Sequence, residues 1–494
     1  MKNDNKTHQF CKSLLVLGSH RNTAMANYVI SLASSPIIQS PVDLSSSEFN
    51  HYHYSNLTKV LEHWELSDSE FQKSISPYIP KPRVSEKGIR YYAMSHDVTK
   101  MLKPHSPCLS DRQYVPIANN VISSNRSLGV GYPVSALHLG VGESGWCPPL
   151  CLERLSSTMN ANEVAIKQIK DILKSEFLPF GDELCLLRAD SAYGKAAFIS
   201  PLYEVDNLVP IIRFRVGIKV WYKAEDNETK LGAPRIYGEK YYLTDVSEQK
   251  TYHRKGTAYQ VWQPALCEQI ADEEIKTEGV LGNKRKVIFW VKRWKNMLIR
   301  SKSGSPMKDK PLDILRIMVL DAETQEPVFD RPLFVGVCGK RKDEIGTNEA
   351  REQYRERYDV EPYYNFAKNR LLLDKLQTPC DKHLDPWLRI VQLTSWLLFV
   401  ASDEIGEIDC PAWQKYLPKN KNVTPEKGLR LTIAQTQRAS HLIFSTLDKI
   451  PFLPIKCKKG NGRKTGDKFV KKPHYSPVKK VKKSIIKLKN QRNE

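Results

Sequence analysis

Long hydrophobic runs are missing from this sequence of 494 residues. The most apolar stretch, residues 393–401, is too short to span a bilayer and follows Arg389 and Gln392, so it reads as a buried helix and no membrane partner is expected. No secretory leader is expected either. MKNDNKTHQF is polar and the LLVLG that follows is brief, which makes a cytoplasmic location the expectation. The ten cysteines are too scattered for the framework of a small secreted domain, so reduced thiols are expected. Cys147 and Cys151 form one C-x3-C pair, but no second Cys/His pair follows at zinc spacing, and two packed thiols beside a strand is the better reading. Negative charge is in deficit as well, with 55 acidic residues against 76 Lys and Arg and a net charge of +21. A chain with that balance attracts polyanions, of which nucleic acid is the commonest for a soluble protein.

The chain does contain an ordered succession of patterns. Residues 1–85 carry FCKSLLVL, AMANYVISLA and SNLTKVLEHW, spaced as short amphipathic helices, and PYIPKPRVSEKG then makes a linker. From residue 88 the runs GIRYYAMSHDV, SLGVGYPVSALHLG and PPLCLERL read as three strands. NANEVAIKQIKDILKSEF places Ile166, Ile169, Leu173 and Phe177 at helical spacing, with Asn160 or Asn162 as N-cap. ELCLLRAD is a short continuous apolar run, typical of a strand buried on both faces, and it stops at Asp190. The order is β-β-β-α-β. Residues 195–340 are strand-like (KVWYKA, EKYYLTD, YQVWQPA, KVIFWVKRW, ILRIMVLD, PLFVGVCG) and form a β-rich insertion, whereas residues 341–455 return to helical patterns. From residue 456 fifteen Lys/Arg face two acidic residues, the composition of a disordered basic tail.

One segment combines charge with spacing. In REQYRERYDVEPYYNFAKNRLLLD, Tyr354, Arg357, Glu361 and Lys368 are 3, 4 and 7 residues apart, spacings that keep all four on one face of an α-helix. Spacing alone fits a solvated charged face. The residues also resemble the YREK signature, Y-x2-R-x3-E-x6-K, of bacterial insertion-sequence transposases of the DDE class, at every position. The similarity extends through FAKNRLLLDKLQTP, VQLTSWLLFVA, WQKYLP and the Lys-rich tail, and more faintly back to residue 88. Pro362 departs from the family pattern: either the helix starts near Asp359 as N-cap or it is kinked there.

The resemblance implies an α/β protein with an RNase H-like catalytic core, a β-rich insertion, an N-terminal helical domain that binds element ends, and a basic tail. It carries the catalytic and metal-binding acids onto Asp97 in YAMSHDVTK, Asp190 in LLRADSAYG and Glu361. Asp111 in LSDRQY is the rival for the first acid; the strand before Asp97 favours Asp97. Two Mg²⁺ or Mn²⁺ ions would be bound with DNA, because phosphodiester cleavage and strand transfer use paired hard cations and hard cations take oxygen ligands. Tyr354, Arg357 and Lys368 are implied to contact DNA. In FWVKRWK, Trp290, Lys292, Arg293 and Trp294 set aromatics among cations, which suits base stacking and phosphate contact; core packing is the alternative for each tryptophan. Partners are then element ends and target DNA, with a homodimer bridging two ends and a nucleoid-associated location. The rival readings are a catalytically decayed DNA-binding derivative and an RNase H-like structure-selective nuclease.

Overall fold

The computed structural model describes residues 5–117, 127–142, 145–224, 235–254, 257–281, 285–301, 306–405, 431–444, 466 and 472–479. The WQKYLP segment and most of the tail after residue 456 lie outside them. The protein is mixed α/β. Among the described residues the elements run α1 (Lys6–Leu14), α2 (Asn22–Ser34), α3 (Ser55–His63), α4 (Asp68–Ile75), β1 (Arg83–Val84), β2 (Arg90–Leu102), β3 (Gln113–Ile117), β4 (Ser127–Gly140) and β5 (Pro149–Arg154). They continue with α5 (Ala161–Leu173), β6 (Leu184–Ala189), α6 (Ala196–Tyr203), β7 (Leu208–Phe214), β8 (Lys219–Lys223), β9 (Tyr237–Tyr242), β10 (Glu248–Arg254), β11 (Thr257–Gln263), β12 (Glu273–Val280), β13 (Lys286–Met297), β14 (Leu312–Asp321) and β15 (Leu333–Val337). Helices α7 (Thr347–Glu356), α8 (Val360–Asn369), α9 (Leu384–Ile405) and α10 (Ile433–Phe444) follow.

The chain divides into two compact units. The first comprises residues 1–80, 98–164 and 359–494, the second residues 81–97 and 165–358. In the first, the expected short N-terminal helices form, and the amphipathic ones bury Phe10 and Leu14 of α1 and Leu57, Val60 and Leu61 of α3. The apolar stretch at 393–401 is indeed the buried middle of α9, which packs on α1, α2, α10 and β5. Its polar groups are satisfied locally: Thr394 and Ser395 hydroxyls donate to carbonyls one turn back, and Trp396 Nε1 donates to Pro149 O (2.8 Å). No helix among the described residues is long and apolar enough to cross a membrane. Strands β3 and β5 pair antiparallel with successive stretches of β4. Strand β3 adds to the three strands expected here. Asn160 is the cap of α5, its Oδ1 accepting from Asn162 N–H (3.0 Å).

Part of the tail corrects the expectation of disorder. Residues 472–479 run beside 107–113: Tyr475 N–H donates to Pro107 O (2.9 Å), Val478 N–H to Arg112 O (2.6 Å), and Arg112 Nη2 to Tyr475 O (2.7 Å). Backbone pairing of this kind ignores the net charge on which the expectation rested.

The second unit holds a mixed sheet in the order β12-β13-β14-β15-β7-β6-β2. Neighbours from β12 to β7 are antiparallel; β7-β6 and β6-β2 are parallel. Every residue of β6 is buried, which explains the unbroken apolar run LCLL: both edges are paired and both faces covered. Helix α7 lays Ala350 and Tyr354 onto a core of Tyr91, Leu186, Ile211, Val335 and others. The insertion is β-rich as its patterns predict, and adds two separate ribbons, β8-β9 and β10-β11.

Candidate active site

Two of the expected acids meet at the edge of the parallel part of the second unit. Parallel register pairs Tyr91 with Leu184 and ends with His96 opposite Ala189, so Asp97 and Asp190 are the next residues on adjacent strands. Both are half-buried. Asp97 lies within β2, which continues to Leu102, whereas its rival Asp111 is in a left-handed turn (φ 55°) and accepts from Ser157 N–H (2.8 Å). Asp190 opens a turn. Its Oδ1 accepts from Ala192 N–H (2.8 Å) and its carbonyl from Tyr193 N–H (3.1 Å), so the carboxylate caps the turn with one oxygen. Burial, with Asp97 and Asp190 both nearby, pushes the Tyr193 phenol well above its ordinary range. Two carboxylates side by side repel unless a cation or protons intervene, and their hard oxygens suit a divalent ion that keeps water or phosphate in its remaining positions. Among the described residues no group of three or more His, Cys, Asp or Glu side chains stands together as a metal cluster.

The placement of the YREK residues on one helix face is corrected by the structure. Helix α7 ends at Glu356, residues 357–359 form a 3-10 turn, and α8 begins at Val360 with Asp359 as N-cap. Pro362 gives the reason: it lacks the N–H that a continuous helix would donate to the Tyr358 carbonyl and its ring would clash there, but it fits a first turn. Tyr354 and Arg357 belong to the second unit and are buried. Tyr354 is in the core, and the Arg357 guanidinium lies 4.5 Å from the Tyr358 ring centre, so Tyr354 is not a surface contact as first expected. Burial raises its phenol pKa. Glu361 and Lys368 belong to the first unit, Glu361 exposed in the first turn of α8 and Lys368 half-buried in the last. The cap and the buried tyrosines anchor α8: Cys147 Sγ donates to Asp359 O (3.2 Å), His138 Nε2 lies 3.2 Å from the Tyr364 hydroxyl, and Tyr363 meets Ser395 Oγ at 2.9 Å.

The insertion residues part company. Trp290 is half-exposed, with Lys276 and Lys292 Nζ at 5.2 and 5.1 Å and Arg316 Cζ at 5.5 Å from its ring centre, while its Nε1 donates to Glu274 (2.7 Å). Arg293 faces the other way, as strand alternation requires, and is buried in an ion pair: Nε and Nη2 reach Asp313 Oδ2 (2.9 and 2.6 Å), and Lys342 Nζ holds Asp313 Oδ1 (2.8 Å). Trp294 is fully buried, with Nε1 donating to Gln269 O (3.3 Å). These two residues are core, which corrects their expected DNA contact.

A cavity of about 760 Å³ opens next to the carboxylates' turn, lined by Ser191, by Arg213, Arg215, Arg331, Arg351 and Arg355, and by aromatic rings including Phe289, Tyr354 and Tyr358. Sequence spacing could not reveal it, because the arginines come from separate elements. His96 and Arg188 also escaped the sequence reading. Each is wholly buried and each precedes an acid by one or two residues.

The chain matches no protein-family model, and no curated protein is significantly similar to it.

Proposed function

We propose that the protein is a DDE-type DNA transposase with an RNase H-like core, cutting element ends and joining them to target DNA. The observation that carries the reading is the pairing of Asp97 and Asp190 on neighbouring parallel strands, next to an arginine-lined cavity. The crevice at the carboxyl ends of parallel strands is where ligands of open α/β sheets commonly bind. The resemblance of its segment assigns Glu361 the role of third acid. Asp97 and Asp190 would hold Mg²⁺ or Mn²⁺, which when bound activates the attacking oxygen and stabilises the leaving one. The cavity's arginines bind phosphate oxygens, for which the guanidinium fork is suited. Trp290 offers a stacking surface beside Lys276, Lys292 and Arg316, the last two of which also pair with Glu274 and Asp245. Lys368 serves the DNA backbone, Arg357 is buried against Tyr358 and supports the segment from within, and a dimer brings two ends together.

The test is cleavage of DNA carrying the inverted repeats that flank the gene, with Mg²⁺ or Mn²⁺. Wild type cuts at the repeat ends; Asp97→Ala, Asp190→Ala and Glu361→Ala bind the DNA and leave it intact. Cutting by any of the three at the wild-type rate, or none by wild type, refutes the reading.

A further inference from the structure

Strand alternation turns His96 away from Asp97, toward the side covered by α5. There the imidazole is wholly buried between two partners: Nδ1 is 2.9 Å from the Tyr193 hydroxyl and Nε2 is 3.1 Å from Gln168 Oε1. The Tyr193 ring stands edge-on to it, centres 5.1 Å apart at 80°, and leans on Phe198 at 4.8 Å. An amide oxygen only accepts, so Nε2 carries the imidazole hydrogen and Nδ1 accepts from the Tyr193 hydroxyl. The phenol proton is thereby committed to His96 and does not compete for the acids' oxygens. Tyr193 in turn closes the backbone turn on Asp190 O.

We propose that His96 and Tyr193 are positioning residues for the carboxylate pair: their hydrogen bond ties β2, one residue before Asp97, to the turn that begins at Asp190, and fixes the spacing at which both acids grip a divalent cation. The inference rests on the reading of Asp97 and Asp190 given above. A buried hydrogen bond between two elements is a stiffer tie than the exposed turn alone, and groups that orient metal-binding side chains typically govern affinity by about 10–100-fold.

The full chain is titrated with Mn²⁺ alone, free ion being followed by electron paramagnetic resonance, and metal-free melting is recorded in parallel. Asp97→Asn and Asp190→Asn each lose binding. Tyr193→Phe, which keeps the ring, and His96→Leu each weaken Mn²⁺ about tenfold while still melting cooperatively. The double variant is no weaker than either single one, because breaking one end of the bond already removes it. If His96→Leu does not fold, Tyr193→Phe carries the test. Wild-type Mn²⁺ affinity in Tyr193→Phe, or additive losses in the double variant, overturns the inference alone. Wild-type affinity in both aspartate variants overturns the carboxylate reading, and the inference with it.

Discussion

Replacing Glu356 with glutamine should destabilise the second unit more than any single change to the two arginines it holds. Arg83 approaches Glu356 with both terminal nitrogens (2.7 and 3.0 Å), and Arg188 Nη1 shares the same Oε2 at 2.8 Å. The Arg188 side chain is 0% exposed, that of Glu356 8% and that of Arg83 32%. Removing one partner of a buried ion pair costs about 3–5 kcal/mol, because the remaining charge stays desolvated. Glu356→Gln strands Arg188 in that way, although Arg83 can recover water, which puts the expected loss toward the lower end. Arg188→Met deletes the buried charge itself and leaves Glu356 bidentate to Arg83, so it costs less. Arg83→Met leaves the inner pair intact and costs least. Urea unfolding would read the first as a midpoint lowered by about 1 M at an m-value of about 3 kcal/mol/M. A midpoint for Glu356→Gln equal to wild type, or Arg188→Met as the most damaging of the three, would refute this account of the network.

The two insertion tryptophans should separate in assay. Trp290→Ala should lower affinity for single-stranded DNA by about 1–3 kcal/mol without changing the melting temperature, measured by fluorescence anisotropy and calorimetry. Trp294→Ala should instead lose about 3–5 kcal/mol of stability from the cavity it leaves. Lys103 is buried, its Nζ donating to the carbonyls of Asp374 (3.1 Å) and Leu376 (2.6 Å), and burial lowers its pKa to about 7 against a weaker opposing pull from Asp374. Its folded pKa lies below the unfolded value, so the unfolded chain binds the extra proton between about pH 7 and 10.5 and stability rises with pH across that window. The advantage of wild type over Lys103→Met in urea should therefore grow from pH 7 to 10, and a flat difference would count against it. Truncation after residue 456 should weaken DNA binding most at low salt, as a filter-binding salt series would show.

What sequence could and could not disclose follows from where each residue's partners lie. Strand β6 was legible because parallel neighbours on both sides impose an apolar run, and α5 because its apolar spacing and Asn160 are local signals. Strand β3 was not anticipated: QYVPI carries a proline and pairs along only part of β4. In FWVKRWK the exposed and buried cations look alike, since the partner of Arg293, Asp313, is on the next strand. The helix break was readable in Pro362, whereas burial of Tyr354 depended on strands far away in sequence.

The register of β2 against β6 also makes this edge a length gauge. Inserting or deleting one residue between Tyr91 and Asp97 would move the carboxylate by about 3.3 Å along the strand and turn it to the opposite face. A deletion would carry the carboxylate into the pocket built for His96 and the imidazole into the buried place of Ser95, whereas an insertion would move His96 to the half-buried place of Asp97 and leave its own pocket to Ser95. This segment should accept substitutions far more readily than changes in length, and a deletion scan across residues 91–97 should abolish folding at every step. Insertions in the exposed β10-β11 ribbon would leave the second unit intact.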